Sequence, residues 1–355
     1  MDVALTILYT CILLTTVTNI VYLRRRRRRR VVPDRFPSVS VLIPARNEEQ
    51  NLQRLLPSLL EQHYEALEII VYDDASEDAT ADVVRRYRDA RLHLLEGTGP
   101  PAGWVGKVHA LYQATRNAQG GLFLFLDADA RLKDPHALRR LVEQYMALPR
   151  PGVLSGLMEL TGRGELVVSL IPFTLATLFS IPLAARIRKG FTGVLGGACW
   201  MIAREDYFAH EPHQKHPGEV LEDLVIARYL KGRGVVPFIH DLQPDVEVRM
   251  YGSLREAWAG FRKNSSLMGG GPVGFTLLVT VFASVFLLLP AIWWPGIVAV
   301  YAAKLSSDQF AGFSLTTTLL APVSFVFAIL ITLDSAWGHF RGDVTWKGRD
   351  VSGLS

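Results

Sequence analysis

Apolar residues fall along this chain in two manners, as long uncharged stretches and as short runs that alternate with helical-period segments. From Val3 to Leu23 no residue is charged, a length that suits one bilayer crossing. Leu166–Ala185 is also uncharged, but Pro172 and Pro182 interrupt it and Arg186, Arg188 and Lys189 follow it. Two more uncharged runs, Val273–Ala303 and Phe310–Leu333, precede a tail that holds Arg341, Lys347 and Arg349.

Between about residues 37 and 150 the pattern changes period. Val39–Ile43 is a short apolar run that ends at Pro44, the mark of a buried strand. Leu52, Leu55, Leu56, Leu59 and Leu60 then recur at helical spacing. Leu67–Tyr72, Leu92–Leu95 and Leu122–Leu126 read as further strands, with Ala79–Arg88 and Val105–Ala118 as helices between them. Asp134-Pro135 reads as a helix N-cap followed by proline at the first helical position. Such alternation predicts an α/β fold with a mainly parallel sheet covered by helices, in which ligands gather at the carboxyl ends of strands.

The chain has 355 residues, 49% of them hydrophobic, and the long runs account for much of that apolar content. Its net charge of +4 is local: Arg24–Arg30 alone contributes +7, so the remainder sums to −3. That balance argues against a nucleic-acid-binding surface. A cleaved signal peptide carries its positive charges before the apolar stretch, whereas here they follow it. The positive-inside rule then places Arg24 onward in the cytoplasm. Two cysteines, Cys11 and Cys199, support neither a disulfide framework nor a cysteine-rich zinc site.

Four charged clusters fall where the sheet places a site. Asp73 and Asp74 end the second strand, where carboxylates accept hydrogen bonds from a base or ribose; a turn with Ser76 or Asp78 as N-cap would use the same residues. Asp127-Ala128-Asp129 follows the strand Leu122–Leu126, and such a pair grips a divalent cation that also holds a diphosphate, unless it is a polar turn. Gly106-Lys107 opens a helix, where lysine and backbone N–H groups meet phosphate oxygens, although the Walker A spacing is missing. His109 reads as structural. Glu222-Asp223 opens an apolar-periodic helix, where one carboxylate would take a proton from an acceptor hydroxyl or simply favour the helix N-terminus. His210, His213 and His216 read as part of a turn-rich loop.

In order, these clusters resemble a family 2 glycosyltransferase with the GT-A nucleotide-sugar fold. The matching segments are Ile43-Pro44-Ala45-Arg46-Asn47-Glu48, Asp73-Asp74, Lys107, the DxD-like Asp127-Ala128-Asp129, and Glu222-Asp223. Trp104–Lys107 and Trp346-Lys347-Gly348-Arg349 are similar to lipid-directed members that glycosylate carotenoids, with hopanoid-associated and ceramide-type enzymes close in arrangement. Processive synthases of the family carry Gln-x-x-Arg-Trp after the acidic pair; this chain has Trp258-Ala259-Gly260-Phe261-Arg262 instead, which favours a single transfer.

The resemblance implies an inverting transfer. Pro44, Arg46, Glu48, Asp73, Asp74, Lys107, Asp127 and Arg262 would bind the nucleotide-sugar, a UDP-sugar in this reading. Asp129 and Asp127 would hold Mg2+ or Mn2+, and Asp223, with Glu222, would act as base. The acceptor would be a hydroxyl on a membrane lipid, a carotenoid or other isoprenoid; no nucleic-acid partner is expected. The organisation implied is an anchor over residues 1–23, a basic segment over 24–36, a GT-A domain over 37–265, a transmembrane hairpin over 273–333 and a cytoplasmic basic tail over 334–355. If Leu166–Ala185 crossed the bilayer, Asp223 would lie on the opposite side from Asp127. Residues 166–189 are therefore expected to lie in the interface as a helix or hairpin. The expected location is the inner or plasma membrane, multi-pass, with the catalytic domain cytoplasmic. A processive polysaccharide synthase and a catalytically silent membrane scaffold are the competing readings.

Overall fold

A computed structural model describes residues 2–263, 265–269, 272–342, 345–346 and 349–350. Lys347 and Gly348 of the basic tail, and Ser355, lie outside the described residues. The chain forms two compact units. One comprises Arg25–Glu159 and Ala185–Arg249; the other comprises the described residues of Met1–Arg24, Leu160–Ala184 and Met250–Gly353. The apolar stretch before Arg186 and the helix around Trp258 thus group with the terminal helices and not with the sheet.

The first unit is a three-layer α/β body. Its strands are β1 (Val39–Ala45), β2 (Leu67–Asp74), β3 (Leu92–Gly97), β4 (Leu122–Leu126), β5 (Ala130–Leu132), β6 (Gly152–Leu157), β7 (Cys199–Ala203), β8 (Val236–Asp241) and β9 (Val246–Arg249). Seven form one sheet in the order β3-β2-β1-β4-β7-β6-β8. β1, β2, β3 and β4 are mutually parallel, β7 runs antiparallel to both β4 and β6, and β6 is parallel to β8. The sheet is therefore mixed but mostly parallel, as the alternating pattern predicted. β5 pairs antiparallel with β9.

β1 and β4 read as continuous apolar runs because helices cover both faces of a parallel sheet. Phe125 of β4 stacks on Trp200 of β7, directly across the ladder, with ring centroids 3.8 Å apart. Burying each such ring contributes about 2–3 kcal/mol. The helix Gly106–Asn117 turns Ala110, Leu111 and Ala114 into this core, which fixes where its first turn and Lys107 stand.

The second unit is helical. Asp2–Arg27, Val273–Ile292 and Ala321–Arg341 are long and apolar enough to cross a membrane, by length and composition. The run Val273–Ala303 is not continuous: the chain breaks its helix at Trp293 and resumes as Trp294–Ala311. Within the first part the helix widens to π geometry over Ser284–Leu288. The cause is local. Leu289 N–H bonds back to Ser284 O, Pro290 has no N–H to offer Val285 O, and the Tyr9 hydroxyl donates to that carbonyl at 2.8 Å.

Residues 165–186 form three short helices, Glu165–Val168, Leu170–Leu178 and Ile181–Arg186. Ser169 keeps helical dihedrals between the first two, so Glu165–Leu178 is one apolar helical stretch of about 21 Å at about 1.5 Å per residue, still short of a hydrocarbon core of about 30 Å. Phe173 is buried among Phe286 and Phe325. Asn19 clasps the bend after Leu178: its amide donates to the carbonyls of Ala176 and Phe179 and its oxygen accepts Ile181 N–H. Lys304 and Asp308, both fully buried, pair at 2.5 Å, with Ser169 and Thr318 hydroxyls beside them.

Candidate active site

The carboxyl ends of β1, β2 and β4 carry the acidic and basic residues in question. At β1 the chain leaves Pro44, which lies opposite Tyr72, and passes through Asn47 in the left-handed region, φ 53°. Arg46 turns its guanidinium across to the end of β2, donating to the carbonyls of Asp74 and Ala75 at 2.9 and 2.7 Å and pairing with Glu77. Its observed role is to fasten the β2 loop. Glu48 accepts a hydrogen bond from the Asn51 amide.

Asp73 and Asp74 are buried at the end of β2. Ala75 takes φ 56°, a left-handed conformation that non-glycine residues adopt rarely, and the sharp turn lets Ser76 N–H reach Asp73 Oδ1 at 3.0 Å. The turn alternative for this segment is thus partly realised, since Asp73 serves the turn with one oxygen, but neither Ser76 nor Asp78 is the N-cap, which falls to Ala79.

Asp127 begins the turn after β4, where its N–H donates to Ala198 O at 3.0 Å and its carbonyl accepts Ala130 N–H. The residues just ahead of β7 therefore lie beside it. One of them, Gly197, faces the helix Glu222–Gly232 so closely that a Cβ there would stand 3.0 Å from Asp223 Oδ2. The antiparallel strand β7 in this way carries the acidic helix to the end of β4.

Lys107 completes the bridge, with Nζ 2.8 Å from Asp127 and 2.9 Å from Glu222. Burial works against its charge, but the two carboxylates outweigh burial and hold the ammonium well above its ordinary range. Asp223 responds oppositely. Burial pushes its carboxyl up to about 6, Glu222 adds to the rise, and Lys107 opposes it. One cation thus faces three carboxylates, Asp127, Glu222 and Asp223, which leaves the cluster short of positive charge.

Of the sequence-predicted residues, Lys107, Asp127, Glu222 and Asp223 come together here, and Asp73 and Asp74 end the same sheet. Arg262 lies in the helical unit, where its Nε pairs with Asp334 at 3.2 Å and Trp258 Nε1 donates to the same carboxylate at 2.7 Å. Among the described residues no three His, Cys, Asp or Glu side chains are gathered to hold a metal. The hard oxygen donors Asp127 and Asp129 fit Mg2+ or Mn2+ only where a diphosphate supplies the other ligands.

Sequence reasoning missed Gly197 and misjudged His213. Gly197 had a faint signal, the Gly196-Gly197 pair, but nothing in the sequence says which side chain approaches it. His213 was expected on a turn-rich loop; it is instead wholly buried, packed on Phe125 and Trp200, with Nδ1 2.9 Å from the Tyr207 hydroxyl. Burial drives its pKa down to about 3, so it stays neutral. His109 is buried edge-on to Tyr72 and Trp104.

Residues 40–207 match the family model for glycosyl transferase family 2. The chain belongs to glycosyltransferase family 2. Across 339 residues it is 28% identical to a 4,4'-diaponeurosporenoate glycosyltransferase of Staphylococcus aureus (strain USA300), covering 89% of this chain and 88% of that one. A relative of the same description from strain MRSA252 is 26% identical over the same length, again covering 89% of this chain and 88% of that one. In fold this family 2 enzyme is similar to a mannosyltransferase from Pyrobaculum calidifontis, solved in complex with GDP-Man and Mn2+. That likeness has a TM-score of 0.57 at 21% identity and covers 94% of this chain and 98% of the other, which establishes the GT-A fold.

Proposed function

We propose that this enzyme transfers a single sugar, with inversion, from a nucleoside diphosphate sugar to the polar end of a membrane isoprenoid. The observation that carries the reading is the Lys107 bridge, which ties a residue of the donor type, Asp127, to the acidic pair Glu222-Asp223. Asp223 has the proton affinity of a base that works near neutral pH, since burial lifts it to about 6. It accepts the proton of the acceptor O–H as that oxygen forms a bond to the anomeric carbon. The bond from the anomeric carbon to the diphosphate breaks, and the nucleoside diphosphate leaves with the electron pair.

Lys107 contributes positive charge where that diphosphate departs. Asp73 and Asp74 accept hydrogen bonds from the base and ribose of the donor, taken to be uridine. Asp127 and Asp129 would hold Mg2+ or Mn2+, which when bound offsets charge on the leaving diphosphate. The Mn2+ named with the Pyrobaculum mannosyltransferase supports that assignment.

The staphylococcal relative's name supports a carotenoid acceptor and, being that of an acid, a carboxyl in place of a hydroxyl. Asp223 serves either: it removes the proton of an alcohol or of a carboxylic acid that low dielectric keeps neutral. Three candidate membrane helices support a membrane location with the α/β unit cytoplasmic, the side on which Arg24–Arg30 would remain. The test is to offer purified enzyme a set of labelled nucleotide sugars with carotenoid, hopanoid, ceramide and diacylglycerol acceptors beside soluble oligosaccharides. One labelled sugar on an isoprenoid is expected; extension of the oligosaccharides with no labelled lipid would overturn the proposal.

A further inference from the structure

Within the α/β unit, the segment following Ala185 presents Arg186, Arg188 and Lys189 to solvent, and Phe191 is 73% exposed. None of the three basic side chains has a carboxylate partner among the described residues. In sequence the segment follows directly on an apolar stretch. A bare phenylalanine beside unpaired basic residues is what an anionic lipid surface attracts: the ring enters the acyl boundary while the cations meet phosphate.

The backbone beneath this surface is fixed to the acidic helix. A Cβ at Gly190 would meet Arg228 O at 2.8 Å, one at Gly193 would meet Ala227 O at 2.4 Å, and one at Gly197 would meet Asp223 at 3.0 Å. Residues 190–197 thus run antiparallel along the helix Glu222–Gly232, from its last turn to its first. Lys231, only 2% exposed, drives Nζ into the turn and donates to Thr192 O at 3.0 Å. Thr192 Oγ1 in turn donates to Lys189 O at 2.8 Å, so the loop is braced from inside.

We propose that Arg186, Arg188, Lys189 and Phe191 form a docking surface for an anionic lipid bilayer, rigidly joined to the helix that carries Glu222 and Asp223. The ten residues from Asp223 to Gly232 span about 13 Å of helix. Docking therefore sets the height of the acidic pair over the headgroups, where the polar end of a lipid acceptor lies. The proposal rests on the membrane-face reading of the enzyme but is read out without turnover.

The full chain, with Cys11→Ser and with Phe191→Cys carrying an apolar fluorophore, is placed in nanodiscs of phosphatidylcholine with or without phosphatidylglycerol. Brominated lipids report whether the label enters the bilayer. Quenching is expected in the anionic discs and is not displaced by added inorganic phosphate. Arg186→Gln, Arg188→Gln and Lys189→Gln together should cut the docked-to-undocked ratio by roughly a hundredfold at low salt, about fivefold for each charge. The same triple variant, with wild-type Phe191, should raise KM for the lipid acceptor and leave kcat unchanged. A label that stays unquenched in anionic discs, or quenching indifferent to the three charges, overturns the proposal. Retained nucleotide diphosphate binding shows that the variants are folded. Quenching without lipid glycosylation would uphold this surface while sinking the proposed function.

Discussion

Two of the lysine–carboxylate contacts among the described residues, at Lys304 and at Lys107, are built to opposite ends. In the helical unit Lys304 and Asp308 are 0% and 1% exposed, matched one to one, with Ser169 and Thr318 hydroxyls beside them. In the α/β unit Lys107, Asp127 and Glu222 are 30%, 26% and 13% exposed, and Asp223 makes the carboxylates three to one cation. The buried pair is complete and offers nothing to a ligand. The open cluster is incomplete in charge and reachable, as a site for a polyanion and its counter-cation requires. Charged residues alone do not mark function; the proposal rests on imbalance at an accessible strand end.

The largest effect expected is from the open cluster. Asp223→Asn should lower kcat by about 10²–10⁴ with a hydroxyl acceptor and by less with a carboxylic acid, which ionises by itself. Nucleotide diphosphate affinity should hardly change, because the proposed base touches the acceptor. Transfer kinetics with both acceptor types check this, and near-normal turnover to a hydroxyl by folded Asp223→Asn would remove the base assignment.

The buried pair should instead cost stability. Lys304→Met leaves Asp308 as an uncompensated buried charge and should destabilise by about 3–5 kcal/mol. Lys304→Met with Asp308→Leu should recover most of that loss, since two apolar groups of similar volume remove the charge altogether. Denaturation of the single and double variants in detergent, alongside activity per folded molecule, separates this from catalysis.

A moderate effect is expected from pH. Asp223 must be ionised to accept a proton, and its carboxyl stands at about 6, so kcat/KM should fall as pH drops below that value. Removing Glu222 takes away a repulsion that raises this pKa, so Glu222→Gln should move the acid limb downward. A pH profile unchanged by Glu222→Gln would contradict the coupling. The smallest effect is expected from Gly197→Ala, whose Cβ would press on Asp223 at 3.0 Å. Displacing the carboxylate by a few tenths of an ångström should reduce kcat/KM about tenfold with little loss of stability.

Much of the α/β unit was legible because parallel strands are buried on both faces and announce themselves as unbroken apolar runs, as at Leu122–Leu126. The charged ends of those strands were legible for the same reason. What sequence did not reveal depends on contacts between distant segments. β7 turns antiparallel and delivers Gly197 to Asp223, and His213 is buried under Tyr207, yet neither has a local periodic signal. Arg46 stands in its motif as a candidate ligand-binding residue, and nothing local in the sequence says that its guanidinium also braces the backbone of Asp74 and Ala75. The uncharged run from Val273 concealed the break at Trp293, because Pro290 and Pro295 bracket it without interrupting the hydropathy.

The contrast between the two clusters comes down to uridine diphosphate binding by two variants, Lys107→Met and Lys304→Met, measured by titration calorimetry in the same detergent. Lys107→Met should lose at least about tenfold in affinity, since it removes the cation proposed to meet the phosphates. Lys304→Met, at a temperature where it remains folded, should bind as the parent does. Undiminished binding by Lys107→Met, or an equal loss in Lys304→Met, would contradict the assignment of the open cluster as the donor site.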